Sequence, residues 1–413
     1  MSVKLNKKSI LKLLFILLLL QSLITYQLND NILGKVVSYM DEIIEIVAVF
    51  YIAINYRSIK RLGKSYSTII FICIALNMVG VVSTAVYHVN DIFPTVVDFL
   101  NCSKFLVIFI AASILELKYY KMDMLFRELN GVIKCFVTIL CVLTIFNILV
   151  YPIFPIRDDR AFASQMLGWR HPSEFATVVF ICFLLLLYNS KYYKNLIYIV
   201  ATLLLIVSAM RIRILAAAMV AMMMYFYYIK LKIKKSSLLY IGIILAVCMV
   251  GYDQFYLYYT NADQPRYMMM FNALVIANEH FPLGVGFASF GTNMAKEYYS
   301  PIYHNLGFDY IYGFSRESGE YLNDQIWSGI MAQFGWAGLL LFILILCCFY
   351  KLILKMKDKD LYGYVCALSI FVYELFSSLG EAAWYSPNCV LIFLIFAHCL
   401  IGTNIEHKKE VRK

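Results

Sequence analysis

Ile326-Trp-Ser-Gly-Ile-Met-Ala-Gln-Phe-Gly-Trp-Ala-Gly-Leu-Leu-Leu-Phe-Ile-Leu-Ile-Leu-Cys-Cys-Phe-Tyr350 runs without one charged side chain. An α-helix needs roughly 20 apolar residues to cross the hydrocarbon of a bilayer, so this stretch predicts a membrane span. Most of the chain reads the same way: 62% of residues are hydrophobic and only 15% charged, a balance that cannot be wrapped into a soluble globule. Comparable runs fall at 9–26, 36–54, 67–87, 96–117, 132–151, 173–188, 195–210, 214–229, 238–255, 361–379 and 388–402. The expected class is an all-α polytopic membrane protein with about twelve transmembrane helices. Lys4, Lys7 and Lys8 precede the first run as they would in a secretory signal, but no small-residue cleavage site follows, so a retained first span is expected.

Immediately before Ile326 the pattern stops. From 257 to 325 no apolar run is long enough to cross, and the segment is polar and rich in tyrosine. Three parts result: spans one to nine over 1–256, a large loop over 257–325, and the last three spans with a tail over 326–413. Lysine and arginine cluster in short connections, among them Arg57/Lys60/Arg61/Lys64, Lys191/Lys194, Lys230/Lys232/Lys234/Lys235 and Lys351/Lys355/Lys357/Lys359. Such clusters stay cytoplasmic. With about twelve spans they share the side of the N-terminus, so both termini are expected in the cytoplasm of a bacterial inner membrane and the loop outside it. The net charge of +10 is then an orientation signal and calls for no nucleic-acid partner.

The basic residues left toward the outer face are mostly arginines: Arg157, Arg160, Arg170, Arg211, Arg213, Arg266 and Arg316, against Lys35, Lys104 and Lys296. Topology needs only positive charge, whereas a planar guanidinium with a fixed fork of donors suits phosphate or carboxylate oxygens. Arg157 and Arg160 have Asp158 and Asp159 as ready partners. Arg211 and Arg213 sit in Ser208-Ala-Met-Arg-Ile-Arg with apolar sequence on both sides, where charge costs free energy unless paired or solvated. Two residues apart, they point to different helix faces.

Cysteine and histidine offer no metal site. The eleven cysteines lie in apolar runs, with none in the loop and no Cys-x-x-Cys spacing, and His88, His171, His280, His304, His398 and His407 are scattered. No cofactor or metal is expected.

Within the loop, Arg266 to His280 reads as an amphipathic surface helix stopped by Pro282 and Gly284. Pro282-Leu-Gly-Val-Gly-Phe is either a structural turn or a place where backbone amides meet a ligand. Tyr298, Tyr299, Tyr303, Tyr310, Tyr312 and Tyr321 alternate with Glu297, Asp309, Glu317, Glu320 and Asp324. Aromatic faces beside acids suit sugars, and an interfacial aromatic belt accounts for the same residues.

Taken in order, the Arg211/Arg213 hairpin, Arg266 heading a helix, His280-Phe-Pro-Leu-Gly-Val-Gly-Phe-Ala-Ser-Phe, Tyr321-Leu-Asn-Asp-Gln and Gln333-Phe-Gly-Trp-Ala-Gly resemble the bacterial O-antigen polymerases, with their capsule and exopolysaccharide counterparts, relatives of the O-antigen ligases. The resemblance covers the whole topology, with its motifs between Ser208 and Gly338. It implies a metal-independent membrane glycosyltransferase that joins undecaprenyl-diphosphate-linked oligosaccharide repeat units outside the cytoplasmic membrane, working beside a flippase and a chain-length regulator. The ligase branch carries a His-Asn pair before the closing span, where this chain has Asn323-Asp324. Fixed positive groups stabilise a diphosphate leaving group, and Arg211, Arg213, Arg266 and Arg170 are the candidate clamp. Arg170 enters through Gly168-Trp-Arg-His-Pro-Ser-Glu, a polar patch directly before a span. Asp324, Glu320, His280 and His304 are the candidate bases, with Asp324 preferred because the adjoining apolar run desolvates it. Tyr298, Tyr299, Tyr303 and Tyr321 are the candidate sugar contacts.

Charges within the runs leave other readings open. Asp41, Glu42, Glu45, Asp98, Lys104 and Glu374 can mark an ion path, as in a lipid-linked oligosaccharide flippase; Asp41, Glu42 and Asp98, near the outer ends of their runs, can instead line a lipid-substrate cavity, and Glu374 lies deep with no role assigned. Asp98 and Lys104 are expected to share a helix face. A flippase should show short loops and pseudosymmetric halves, which this chain lacks. A ligase uses the same site chemistry, and a structural scaffold needs no outer arginines.

Overall fold

The computed structural model describes residues 7–29, 31–119, 122–157, 164–233, 252, 256 and 259–410. Among them the fold is helical apart from one antiparallel pair of two-residue strands, β1 (Ile156–Arg157) and β2 (Ser164–Gln165). Ahead of β1 come α1 (Lys7–Leu19), α2 (Gln21–Gln27), α3 (Ile32–Ser38), α4 (Met40–Ile54), α5 (Tyr56–Leu62), α6 (Lys64–Tyr87), α7 (Ile92–Tyr119) and α8 (Met122–Leu149). After β2 follow α9 (Pro172–Asn189), α10 (Leu196–Ser208) and α11 (Ile212–Met224), which continues as a π-helix over Tyr225–Lys230. The segment between the bundle halves holds α12 (Pro265–Glu279), α13 (Asn293–Glu297) and α14 (Pro301–Asn305). The chain closes with α15 (Ile326–Leu354), α16 (Leu361–Ser377) and α17 (Cys389–Glu410).

Among the described residues six helices are long and apolar enough to cross a membrane: α6, α7, α8, α9, α11 with its π extension, and α15. A seventh span results if α1 and α2, bent by 61° at their junction, count as one. The expectation of about twelve counts every apolar run, including those that are bent, short or outside the described residues. The run at 36–54 is interrupted at Tyr39, which separates α3 from α4. Leu196–Ser208, Leu361–Ser377 and Cys389–Ile401 are apolar but shorter, and the run at 238–255 lies outside the described residues.

Helix α9 is apolar on all sides, and such a helix must be enclosed. From Phe175 to Leu187 its apolar side chains are fully buried, so it forms the centre of the bundle. Peripheral helices keep large apolar side chains outward, among them Ile92, Leu149 and Ile197, as a lipid-facing surface requires.

The loop has its own core. Met269, Ala273, Ile276 and Ala277 recur at helical spacing on α12 and pack with Phe290, Tyr303, Phe308 and Leu322, closing onto Met331 and Ala332 of α15. Gly335 breaks α15 at φ 61°. The backbone groups freed there pair with the glycine-rich turn: Val285 N–H donates to the Ala332 carbonyl (2.9 Å), Gly286 N–H to Gln333 (2.8 Å), and Ala337 N–H to Pro282 (3.0 Å). Orphan backbone groups at membrane depth are costly, so this turn is structural and its amides are spent on α15. A Cβ at Gly284 would lie 2.5 Å from the Ala332 oxygen, which is why both approaching residues are glycines.

Asp98 and Lys104 do not share a face. Six residues along a helix leave them about two-thirds of a turn apart. Asp98 accepts from Ala288 N–H (2.6 Å) and Gln333 Nε2 (2.8 Å), fixing the loop to α7, whereas Lys104 pairs with Asp41 at 2.6 Å.

Candidate functional site

The turn between α10 and α11 contains no glycine, yet Met210 stands at φ 52°, a left-handed conformation that residues with side chains rarely adopt. It reverses the chain abruptly and places Arg211 and Arg213 at the start of α11. The two part company as their spacing predicts. Buried Arg211 donates through Nη2 to His171 Nε2 at 3.2 Å. On the other side of the ring, His171 Nδ1 lies 2.5 Å from Ser173 Oγ and accepts from the Ser173 N–H at 3.3 Å, capping the start of α9.

Arg213 turns toward the end of α16. Its Nη2 lies 3.3 Å from Glu381 Oε1, and Nη1 donates to the Ser377 carbonyl at 3.4 Å. Arg266, at the start of α12, reaches the same place from the loop, donating through Nη2 to Asp324 Oδ2 and to the Gly380 carbonyl, each at 3.3 Å. The terminal carbonyls of a helix carry partial negative charge, and here they hold two guanidinium groups side by side. A Cβ at Gly380 would lie 2.8 Å from Arg213 Cζ and 2.9 Å from Arg266 Cζ, so the two cations are immediate neighbours across a residue that has no side chain.

Tyr259 and Gln325 brace this pair. The Tyr259 hydroxyl stands 2.6 Å from the Leu379 carbonyl and 2.8 Å from Gln325 Oε1, and Gln325 Nε2 donates to the Arg266 carbonyl at 2.8 Å. Burial pushes the Tyr259 hydroxyl up to about 12, so it remains a donor.

Further charges surround the two arginines. Exposed Arg170 and half-buried Lys296 lie within electrostatic reach of each other, as do Lys296, Asp324 and Glu320. Glu174, in the first turn of α9, faces Arg170 and Glu381. Burial pushes the Asp324 carboxyl above its usual range, against the pull of Arg266 and Arg213. Burial and Arg170 push the Lys296 ammonium down. The result is a ring of Arg170, Arg213, Arg266 and Lys296 interleaved with Glu174, Asp324 and Glu381, drawn from six separate parts of the chain, with Arg211 beside it on His171. Such a set can grip a polyanion through several forked donors beside a carboxyl that burial makes more basic than usual.

Of the residues expected from sequence, Arg170, Arg211, Arg213, Arg266 and Asp324 thus lie in or beside one cluster. Glu320 is exposed and near Lys296. His280 instead ends α12 and stacks edge-on against Tyr87, with ring centroids 4.5 Å apart. His304 pairs with Asp309 at 2.9 Å on the loop surface. Tyr303 is fully buried and its hydroxyl accepts from Gly291 N–H, while Tyr299 is 3% exposed. Both are core residues of the loop and offer no ring face to a sugar. Tyr298 is exposed and Tyr321 is half-buried against Phe314. Arg157 is exposed at β1, and Arg160 lies outside the described residues.

Gly380, Glu381 and Tyr259 had not been singled out. The signal available was Leu379-Gly-Glu-Ala-Ala-Trp, a carboxylate beside a glycine in the short turn between two apolar runs. No family model matches this chain, and no curated protein is similar to it.

Proposed function

We propose that this chain is a polysaccharide polymerase: a membrane glycosyltransferase, with about twelve spans, that joins undecaprenyl-diphosphate-linked repeat units on the outer face of the bacterial cytoplasmic membrane. The observation that carries this reading is the Arg213/Arg266 pair packed across Gly380, a preorganised double cation at the mouth of an apolar bundle. Its chemistry matches a lipid diphosphate, whose charge grows as the glycosyl bond breaks.

In the reaction, a sugar hydroxyl of the incoming lipid-linked unit attacks the anomeric carbon of the growing chain. The bond from that carbon to the diphosphate oxygen breaks, and the electron pair leaves with the diphosphate. Arg213 and Arg266 stabilise the departing charge, while Arg211 and Arg170 hold the periphery of the anion. Asp324 takes the hydroxyl proton, and its contact with Arg266 couples base to clamp. Tyr298 and Tyr321 remain as the ring faces available to sugar. No metal is needed, because the leaving group is already stabilised.

The test is deletion of the gene in its host, followed by electrophoresis of lipid-linked and surface glycans. Single repeat units displayed on the outer leaflet with the ladder lost are expected. Units trapped on the inner leaflet would assign a flippase, and long chains retained on the lipid carrier a ligase.

A further inference from the structure

Away from the arginine ring, the broken first helices meet α7 at a second charged cluster. Lys104 of α7 and Asp41 of α4 are each 1% exposed, with Nζ to Oδ2 at 2.6 Å, and Glu42 Oε1 lies 3.5 Å from the same ammonium. Gln21, which opens α2 at the 61° bend, donates through Nε2 to Asp41 Oδ1 at 2.6 Å and to the Ser38 carbonyl at 3.2 Å. One turn further along α4, Glu45 is 1% exposed and faces Lys104, Glu42 and Asp41. Among the described residues neither oxygen of the Glu45 carboxyl has a hydrogen-bond partner, and Glu42 Oε2 and Gln21 Oε1 are also buried without one. From the other packed elements, the thiols of Cys102 on α7 and Cys389 on α17 face the same carboxyl.

Two accounts fail to balance here. Three carboxyls surround one ammonium, and an isolated carboxylate at this depth is expensive. Four buried acceptor atoms also lack donors, and an unmade hydrogen bond costs about 1–3 kcal/mol. One proton on Glu45 eases both, leaving two carboxylates to one ammonium and turning one orphan acceptor into a donor. A metal cation fits poorly, because the Lys104 ammonium already occupies the centre. Among the described residues no group of three or more His, Cys, Asp or Glu side chains could hold a metal ion.

We propose that Glu45, with Glu42 and Lys104, forms a proton-binding site inside the membrane at the break between α3 and α4. The exchange is Glu45 carboxylate plus hydronium giving the carboxylic acid and water: one O–H bond of hydronium breaks and one forms on the carboxyl. Glu42, whose side chain is 28% exposed, is the route by which that proton enters and leaves. The site stands independently of the glycosyltransferase reading.

The experiment treats membranes containing the full chain with dicyclohexylcarbodiimide over a range of pH and locates adducts by peptide mass spectrometry. This apolar reagent adds only to protonated carboxyls, the acid O–H adding across a C=N bond and the product rearranging to a stable N-acylurea. A Glu45 adduct whose yield falls several-fold as pH rises is expected. In Lys104→Met labelling should persist to higher pH, because the cation that favours the ionised form is gone. Absence of an adduct at Glu45 at every pH overturns the proposal, and so does a yield that ignores pH. Wild-type protein alone decides between these outcomes, so a misfolded variant does not obscure the result.

Discussion

At the scale of single residues, the arginine ring makes separable predictions. Removing one preorganised donor at a developing charge costs on the order of a hundred- to a thousandfold in rate, so Arg266→Ala, Arg211→Ala and Arg213→Ala should each abolish the polymer ladder while protein still accumulates in the membrane. Near-normal ladders in Arg266→Ala and Arg211→Ala would remove the clamp from consideration. Asp324 should behave differently. Its carboxyl is held above the usual carboxylate range by burial, so an activity that needs the ionised form rises with pH through a midpoint higher than the roughly 3.9 of a free aspartate. Stability runs the other way: the contribution of a raised carboxyl is complete below its unfolded pKa and is lost as pH rises through the folded one. Asp324→Asn should therefore lose activity by about a hundredfold or more, yet melt no lower than wild type at neutral pH. An unchanged rate in this variant would reassign the base.

At the scale of elements, the broken α15 is the point on which loop and bundle depend together. Gly335 stands at φ 61°, and a Cβ there would lie 2.5 Å from Gly284 N and collide with the Pro282 carbonyl. Gly335→Ala should cost roughly 1–3 kcal/mol from backbone strain alone, and more from the collision, read as a fall in melting temperature of the purified protein. Helix existence was largely legible in the sequence, because apolar runs of membrane length have few other uses. Helix breaks were not. Leu20 and Tyr39 interrupt apolar runs at points that neither glycine nor proline marks. The glycines at 284 and 335 could be read as turn formers, but that they face each other became evident only once α15 lay against the loop.

At the scale of the whole molecule, the arginine ring was half legible. Arg211, Arg213, Arg266 and Asp324 stand out as charges beside apolar sequence, a property visible residue by residue. Their partners Glu381, Gly380 and Tyr259 acquire meaning only through pairings separated by more than a hundred positions, which no local pattern encodes. The expected orientation rests instead on the Lys/Arg clusters of the short connections. Tyr310, 94% exposed at the tip of the loop, should react as Tyr310→Cys with a membrane-impermeant maleimide added outside intact cells, whereas Lys357→Cys should react only after lysis. The reverse pattern would invert the topology and place the arginine ring in the cytoplasm.

The seam between loop and α15 also constrains how the protein is made. The amides of Val285 and Gly286 are synthesised before the carbonyls of Ala332 and Gln333 that receive them, and Asp98, which anchors Ala288 and Gln333 together, is synthesised long before either. During translation the loop therefore emerges with its central turn unsatisfied and settles only when the tenth expected span has entered the membrane and bent at Gly335. A ribosome stalled before that helix would leave a loop open to proteases, and one stalled just after it a loop already closed. Closure of the loop beneath the arginine ring is thus timed by insertion of a helix that carries none of the ring's charged groups.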